Sequence, residues 1–300
     1  NDTDDALLTS GGRRWRESVR RISWIRLPIF FAVLLAADIG AQLGRVWAIL
    51  HGPPGDAGPA SLGAALLLAA ALLALYTGLV RSVEGRATRE LAPRPVQAAG
   101  GVILGISLFA SVFGLLHFAG VAQWHGISGQ FAVTPALAAA IIAAVGEELA
   151  FRGGLFRILE ESLGTAAALA LSAALFGLLH ALNPGATLVS TAAIALEAGV
   201  LLGAAYALTR NLWFPIGLHL GWNFTEGGIF GVSVSGGHAG RGIFAVSLTG
   251  RTLLTGGDFG PEASLVAIAV CLAAAGVLLA LVAHHGRWLP RKRRAARQAS

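Results

Sequence analysis

The chain has 300 residues, of which 55% are hydrophobic and only 13% charged, with a formal net charge of +6 and a mean hydropathy of +0.69. A soluble domain of this length carries about twice that charged fraction, so composition excludes the soluble globular class and points to a polytopic membrane protein. The basic residues flank apolar stretches and form no soluble face, so their expected partner is the anionic lipid bilayer and not nucleic acid.

The first 26 residues read as a cytoplasmic segment. Asn1 to Gly12 lacks an apolar core followed by a small-residue cleavage site and is not a signal peptide. Arg13, Arg14, Arg16, Arg20, Arg21 and Arg26 then precede the first apolar run. Stretches able to cross ~30 Å of hydrocarbon as helices follow at 27–49, 61–80, 98–120, 133–152, 164–182, 188–209, 211–230 and 263–283. The expected fold is therefore all-α, a helical bundle of eight spans filling a membrane domain over 27–283. Residues 284–300 form a basic cytoplasmic tail containing Arg287, Arg291, Lys292, Arg293, Arg294 and Arg297.

An even span count puts both termini on one side. Arg81, Arg86, Arg89 and Arg94 after the second span agree with a cytoplasmic assignment for that side. The alanine- and arginine-rich composition suggests a bacterial inner membrane. Cys271, the single cysteine, has no internal disulfide partner.

Three segments within 136–223 carry the chemistry. The first is Glu147-Glu148-x-x-x-Arg152, which closes an apolar run. An ionised group near the bilayer centre costs about 2.5 to 3.5 kcal/mol on insertion scales, and two adjacent carboxylates also repel, so the pair marks a polar cavity. On a helix Glu148 and Arg152 share a face and can pair, while Glu147 is turned by ~100° and left for other work.

The second segment is Phe176-Gly-Leu-Leu-His180, followed by the break Asn183-Pro184-Gly185. A chain reversal near Ser162 to Thr165 would leave Glu147 and His180 each roughly 25 Å from the turn, at one height in an antiparallel hairpin. The third is Pro215-Ile-Gly-Leu-His219-Leu-Gly-Trp-Asn223, in which His219 and Asn223 share a helical face. That pair suits either an oxyanion or interhelical hydrogen bonding. Asp38 and Glu197 are further polar residues inside spans. Asp38 is expected to pair with an arginine such as Arg45, and Glu197 to pair or to line a cavity. The loop from Thr225 to Ser264 has no assigned role.

These segments, with Gly199, Gly203, Tyr206 and Thr209 between the second and third, resemble the CPBP or Abi family of intramembrane proteases. That family includes the type II CAAX prenyl endopeptidases and proteins linked to bacteriocin processing and self-immunity. The resemblance runs from Ala136 to Asn223, with an extension through Gly256 to Glu262. It implies an intramembrane glutamate-type endopeptidase acting on a membrane-associated protein or peptide, CAAX-like or of the leader or bacteriocin type. In it Glu147 and His180 would activate water, His219 and Asn223 would hold the oxyanion, and Glu148 with Arg152 would brace the helix. The resemblance favours a metal-free mechanism with no cofactor. The alternative set of zinc ligands is Glu147, His180 and His219. A non-catalytic scaffold or self-immunity protein of the same fold is the other reading, and the absence of paired repeats disfavours a transporter.

Overall fold

The computed structural model describes residues 23–51, 57–129, 132–237 and 240–291; the arginines before residue 23 and the tail from Lys292 lie outside these. The bundle opens with α1 (Ser23–His51), α2 (Ala57–Leu79) and α3 (Pro95–Phe118). Apart from a few buried polar residues such as Arg26 and Asp38 of α1 their side chains are apolar, and Leu67, Ile103 and Leu115 face outward, as expected of helices that meet lipid on one side and protein on the other.

Strand β1 (Ala122–Ile127) comes next, and then α4 (Val133–Glu148), which runs through a π-helical stretch, Leu149–Phe156, into α5 (Arg157–His180). Gly164, at φ 81° and ψ 171°, breaks the helical path within α5. The amide of Thr165 turns outward to Leu289 O. After a capping box between Thr187 and Ser190 come α6 (Leu188–Ile194), a π stretch Ala195–Gly199 and α7 (Val200–Thr209). Then α8 (Trp213–Phe224) continues as the π stretch Thr225–Ile229, and after β2 (Phe244–Leu248) the last long helix is α9 (Leu265–His284). The two strands pair antiparallel, Ala122 opposite Leu248 and Trp124 opposite Val246.

The protein is an all-α integral membrane bundle with several spans. Six stretches are long and apolar enough to cross a bilayer: Ile25–Gly44, Ser61–Glu84, Pro95–Phe118, Val133–His180, Leu188–Thr209 and Leu265–His284. The fourth and fifth expected spans fall within the stretch Val133–His180, which is two helical runs that meet at the non-helical Gly164 and double back on each other. The expected span at 211–230 is a 12-residue α8 plus a five-residue π turn, too short to count. It is held within the bundle against α3 and α4.

Polar groups gather at one end, where the start of α1, the loop after α2 and the start of α5 meet. Arg26 pairs with Glu84 and Glu161, Arg157 pairs with Glu84 at 2.8 Å, and Arg210 pairs with Glu160. The strands lie at the other end of α3.

Candidate active site

The break at Gly164 does what the hairpin count required. A straight helix would separate Glu147 and His180 by about 50 Å, yet Glu147 Oε2 lies 3.9 Å from His180 Nε2. His180 Nδ1 is 2.8 Å from Phe176 O, so it carries the proton and leaves Nε2 as an acceptor facing the carboxylate. The gap exceeds a direct hydrogen bond and suits a water held by both groups.

Glu148 points the other way. It is fully buried, its Oε1 accepts from Arg152 Nη1 at 2.7 Å, and it meets His219 Nδ1 at 3.2 Å. Arg152, almost without exposure, also donates to Ala198 O and Gly199 O, tying the α4 end to the π stretch before α7. Phe176 packs between these groups, with the Arg152 guanidinium 4.7 Å over its ring and the His180 ring 4.6 Å away. The adjacent glutamates thus serve different neighbours, because the helix turns one toward protein and the other toward space.

That space is a cavity of about 690 Å³ whose wall includes Glu147, His180, His219 and Asn223. Its size lies in the usual range for ligand sites. The structure brings together all four residues singled out as reactive. With Nδ1–H directed at Glu148, His219 presents Nε2 to the cavity and donates from it only when doubly protonated.

Two further wall residues carried weaker signals in the sequence. Asp38 of α1 lines the same cavity, lies against Gly146 beside Glu147, and has Oδ1 buried with no hydrogen-bond partner among the described residues. The expected pairing of Asp38 with an arginine is not seen, and the side chain of Arg45 lies outside the described residues. Asn183, from the break after α5, also lines the cavity and donates to Ser235 O at 2.9 Å. Glu197 sits behind the site, 2% exposed, accepting from Cys271 Sγ at 3.2 Å.

Four π-helical stretches occur among the described residues, and each holds or adjoins a buried glutamate: Glu84, Glu148, Glu197 and Glu226. A widened turn shifts the angular position of the residues beyond it, which lets one helix aim polar groups that a regular repeat would scatter.

Residues 129–225 match the Rce1-like family of type II CAAX prenyl endopeptidases. The Rce1-like segment contains Glu147, Glu148, Arg152, His180, His219 and Asn223, whereas Asp38, Ser235 and Glu262 lie outside it. No curated protein and no solved structure matches the chain. The Rce1-like family is one of proteases, which supports protease activity and a peptide substrate in the membrane. Among the described residues no three histidine, cysteine or acidic side chains gather so as to hold a metal ion.

Proposed function

We propose that the protein is an intramembrane endopeptidase that hydrolyses a peptide bond of a membrane-associated protein or peptide without a metal or other cofactor. The observation that carries this reading is the approach of Glu147 and His180 on a cavity wall shared with His219 and Asn223. A water placed between Glu147 and His180 gives its proton to the carboxylate as its oxygen attacks the scissile carbonyl carbon. The carbonyl oxygen, now negative, is met by Nε2–H of a doubly protonated His219, whose charge Glu148 balances, and by the Asn223 amide. As the tetrahedral intermediate collapses, the carbon–nitrogen bond breaks and the proton held by Glu147 and His180 passes to the leaving amine. Glu148 and Arg152 touch no reacting atom; they fix the ring of His219 and the end of α4. No serine or cysteine nucleophile is required.

The test compares new peptide termini in membranes of cells carrying the intact protein or Glu147→Ala at matched expression. Termini that vanish with Glu147 are expected, and they name the substrate, whether CAAX-like or a leader peptide. Identical termini in both, with the variant folded, would leave the non-catalytic scaffold or immunity reading instead.

A further inference from the structure

Behind the two histidines lies a second, small chamber of about 30 Å³, bounded by His180, His219, Asn223, Glu197, Ser235 and Glu262. It has room for a water molecule and is bounded by two acids, Glu197 and Glu262, that the proposed reaction does not use.

Glu262 stands in the turn Pro261–Ala263 just before α9 and is 2% exposed. It shares the chamber wall with Ser235, whose hydroxyl and backbone N–H act on its carboxyl against the effect of burial. Ser235 has φ +48°, a left-handed conformation that a residue with a Cβ holds only where surrounding bonds impose it. The neighbours that hold it are visible: Glu262 across the chamber, the Asn183 amide, which donates to Ser235 O, and Phe259 O, which accepts from the N–H of the next residue, Gly236, at 2.7 Å. Ser235 also belongs to the wall of the main cavity, so the strained residue stands between the two spaces.

Glu262 has a second partner. Glu226, fully buried on the π stretch that continues α8, interacts with it and takes a hydrogen bond from Trp222 Nε1 at 3.1 Å. The Oε1 atoms of Glu226 and Glu262 are both buried with no donor among the described residues. Two touching carboxylates in an apolar interior cannot both be ionised, and one proton between them satisfies both. The groups facing the pair do not change this. Glu197 comes from the π stretch before α7, Cys271 of α9 donates to Glu197, and His180 faces from α5. Packed α3 carries His117 in its last turn, α4 carries Glu147 and Glu148 at its end, α8 carries His219, α6 and the turn Thr252–Thr255 carry no titratable side chain, and Asp258 in the adjacent turn is exposed. Burial also pushes the Glu262 carboxyl above the ordinary carboxylate range.

We propose that Glu262, joined to Glu226 through one shared proton, is a positioning residue of the active site, clamping Ser235 and its loop across the rear of His180 and His219. Glu226 hangs from the helix that carries His219 and Asn223, and Asn183 comes after His180 by less than one helical turn. The clamp therefore ties both histidine-bearing helices to the loop over Gly231–Gly237. Its role in catalysis rests on the reading of the main cavity as a protease site; its existence does not. Loss of the shared proton at high pH puts two charges in contact and releases the loop.

The test uses the full chain in lipid nanodiscs. Infrared spectra at neutral pH are expected to contain the C=O stretch of a protonated carboxylic acid that is lost in both Glu262→Gln and Glu226→Gln. Amide hydrogen exchange over 231–237 should speed up about tenfold in Glu262→Ala, and in the intact protein at alkaline pH, while Glu262→Gln, which keeps a donor, stays protected across the range. If peptides spanning a Glu147-dependent cleavage site are available, Glu262→Ala should lower kcat about tenfold with KM little changed, and Glu262→Gln should restore it. An intact protein without the carboxylic band, or a folded Glu262→Ala with unchanged exchange, overturns the clamp. Neither readout needs a substrate, so a failure of the protease reading is seen separately, in the comparison of termini.

Discussion

Glu148 has 0% exposure and is held by Arg152 and His219, whereas its neighbour Glu147 keeps 19% of its side chain open to the cavity. The same substitution should therefore act differently at the two positions. Removing the Glu148 carboxylate strands a buried guanidinium, and Glu148→Ala is expected to cost ~3–5 kcal/mol of stability. Glu147→Gln, which breaks no ion pair with an arginine or lysine, should leave the melting temperature within a few degrees while ending peptide hydrolysis. Thermal unfolding of both variants in one detergent separates the two roles. Equal destabilisation would mean that Glu147 is structural after all.

At the scale of elements, the position of α8 depends on small residues. A Cβ on Gly101 or Gly105 of α3 would overlap the backbone of Phe214 or Leu218, and one on Gly217 or Gly221 of α8 would overlap Ala98 or Val102. The two backbones are in contact, as glycine permits at membrane helix crossings. Gly217 and Gly221 flank His219, so this crossing sets where the imidazole and Asn223 point. Gly105→Val is expected to cost about 1–3 kcal/mol and to abolish cleavage. Gly114→Val, with open space around it, should do neither. Parallel melting and cleavage assays check both.

The loop after α2 has a pH signature of its own. Burial alone would raise the Glu90 carboxyl, but hydrogen bonds from Arg86 and from Tyr76, the latter at 2.6 Å, outweigh it and hold Glu90 below its ordinary value. A depressed carboxylate stabilises the fold above its unfolded value of about 4.3, and that contribution is lost as pH falls through the lower folded value. Glu90→Gln should flatten this acid loss in melting curves. An unchanged acid limb would place the effect elsewhere.

For the whole molecule, the decisive geometry is that the ion pairs around Glu84 and Glu90 and the main cavity occupy opposite ends. The cavity wall reaches Ala132, Pro135 and Arg241, beside the strand pair. Arginine-rich loops stay on the cytoplasmic side, so cysteines placed at Arg86 or Arg287 should react with a membrane-impermeant maleimide only in inside-out vesicles, and one at Ile127 only in right-side-out vesicles. The native Cys271 is buried and does not interfere. That result would turn the cavity toward the outer face and favour secreted or leader-type peptides as substrates. The reverse labelling would turn it to the cytoplasm, where CAAX-like clients are made.

Membrane class, helical fold, and the division of Glu147 from Glu148 and Arg152 are legible in the sequence alone, because apolar length and the helical repeat are local properties. The same holds for the meeting of Glu147 with His180, since a hairpin matches heights by counting residues from its turn. The sequence did not determine that α8 is a short helix held within the bundle, because its burial depends on neighbours distant in the chain. Nor did it reveal Asp38 beside Glu147, the strand pair, or Glu262 reaching Ser235. Asp38 comes from α1 and Glu262 from the loop before α9, far in the chain from the three segments within 136–223, and only the packing of the bundle decides what they touch.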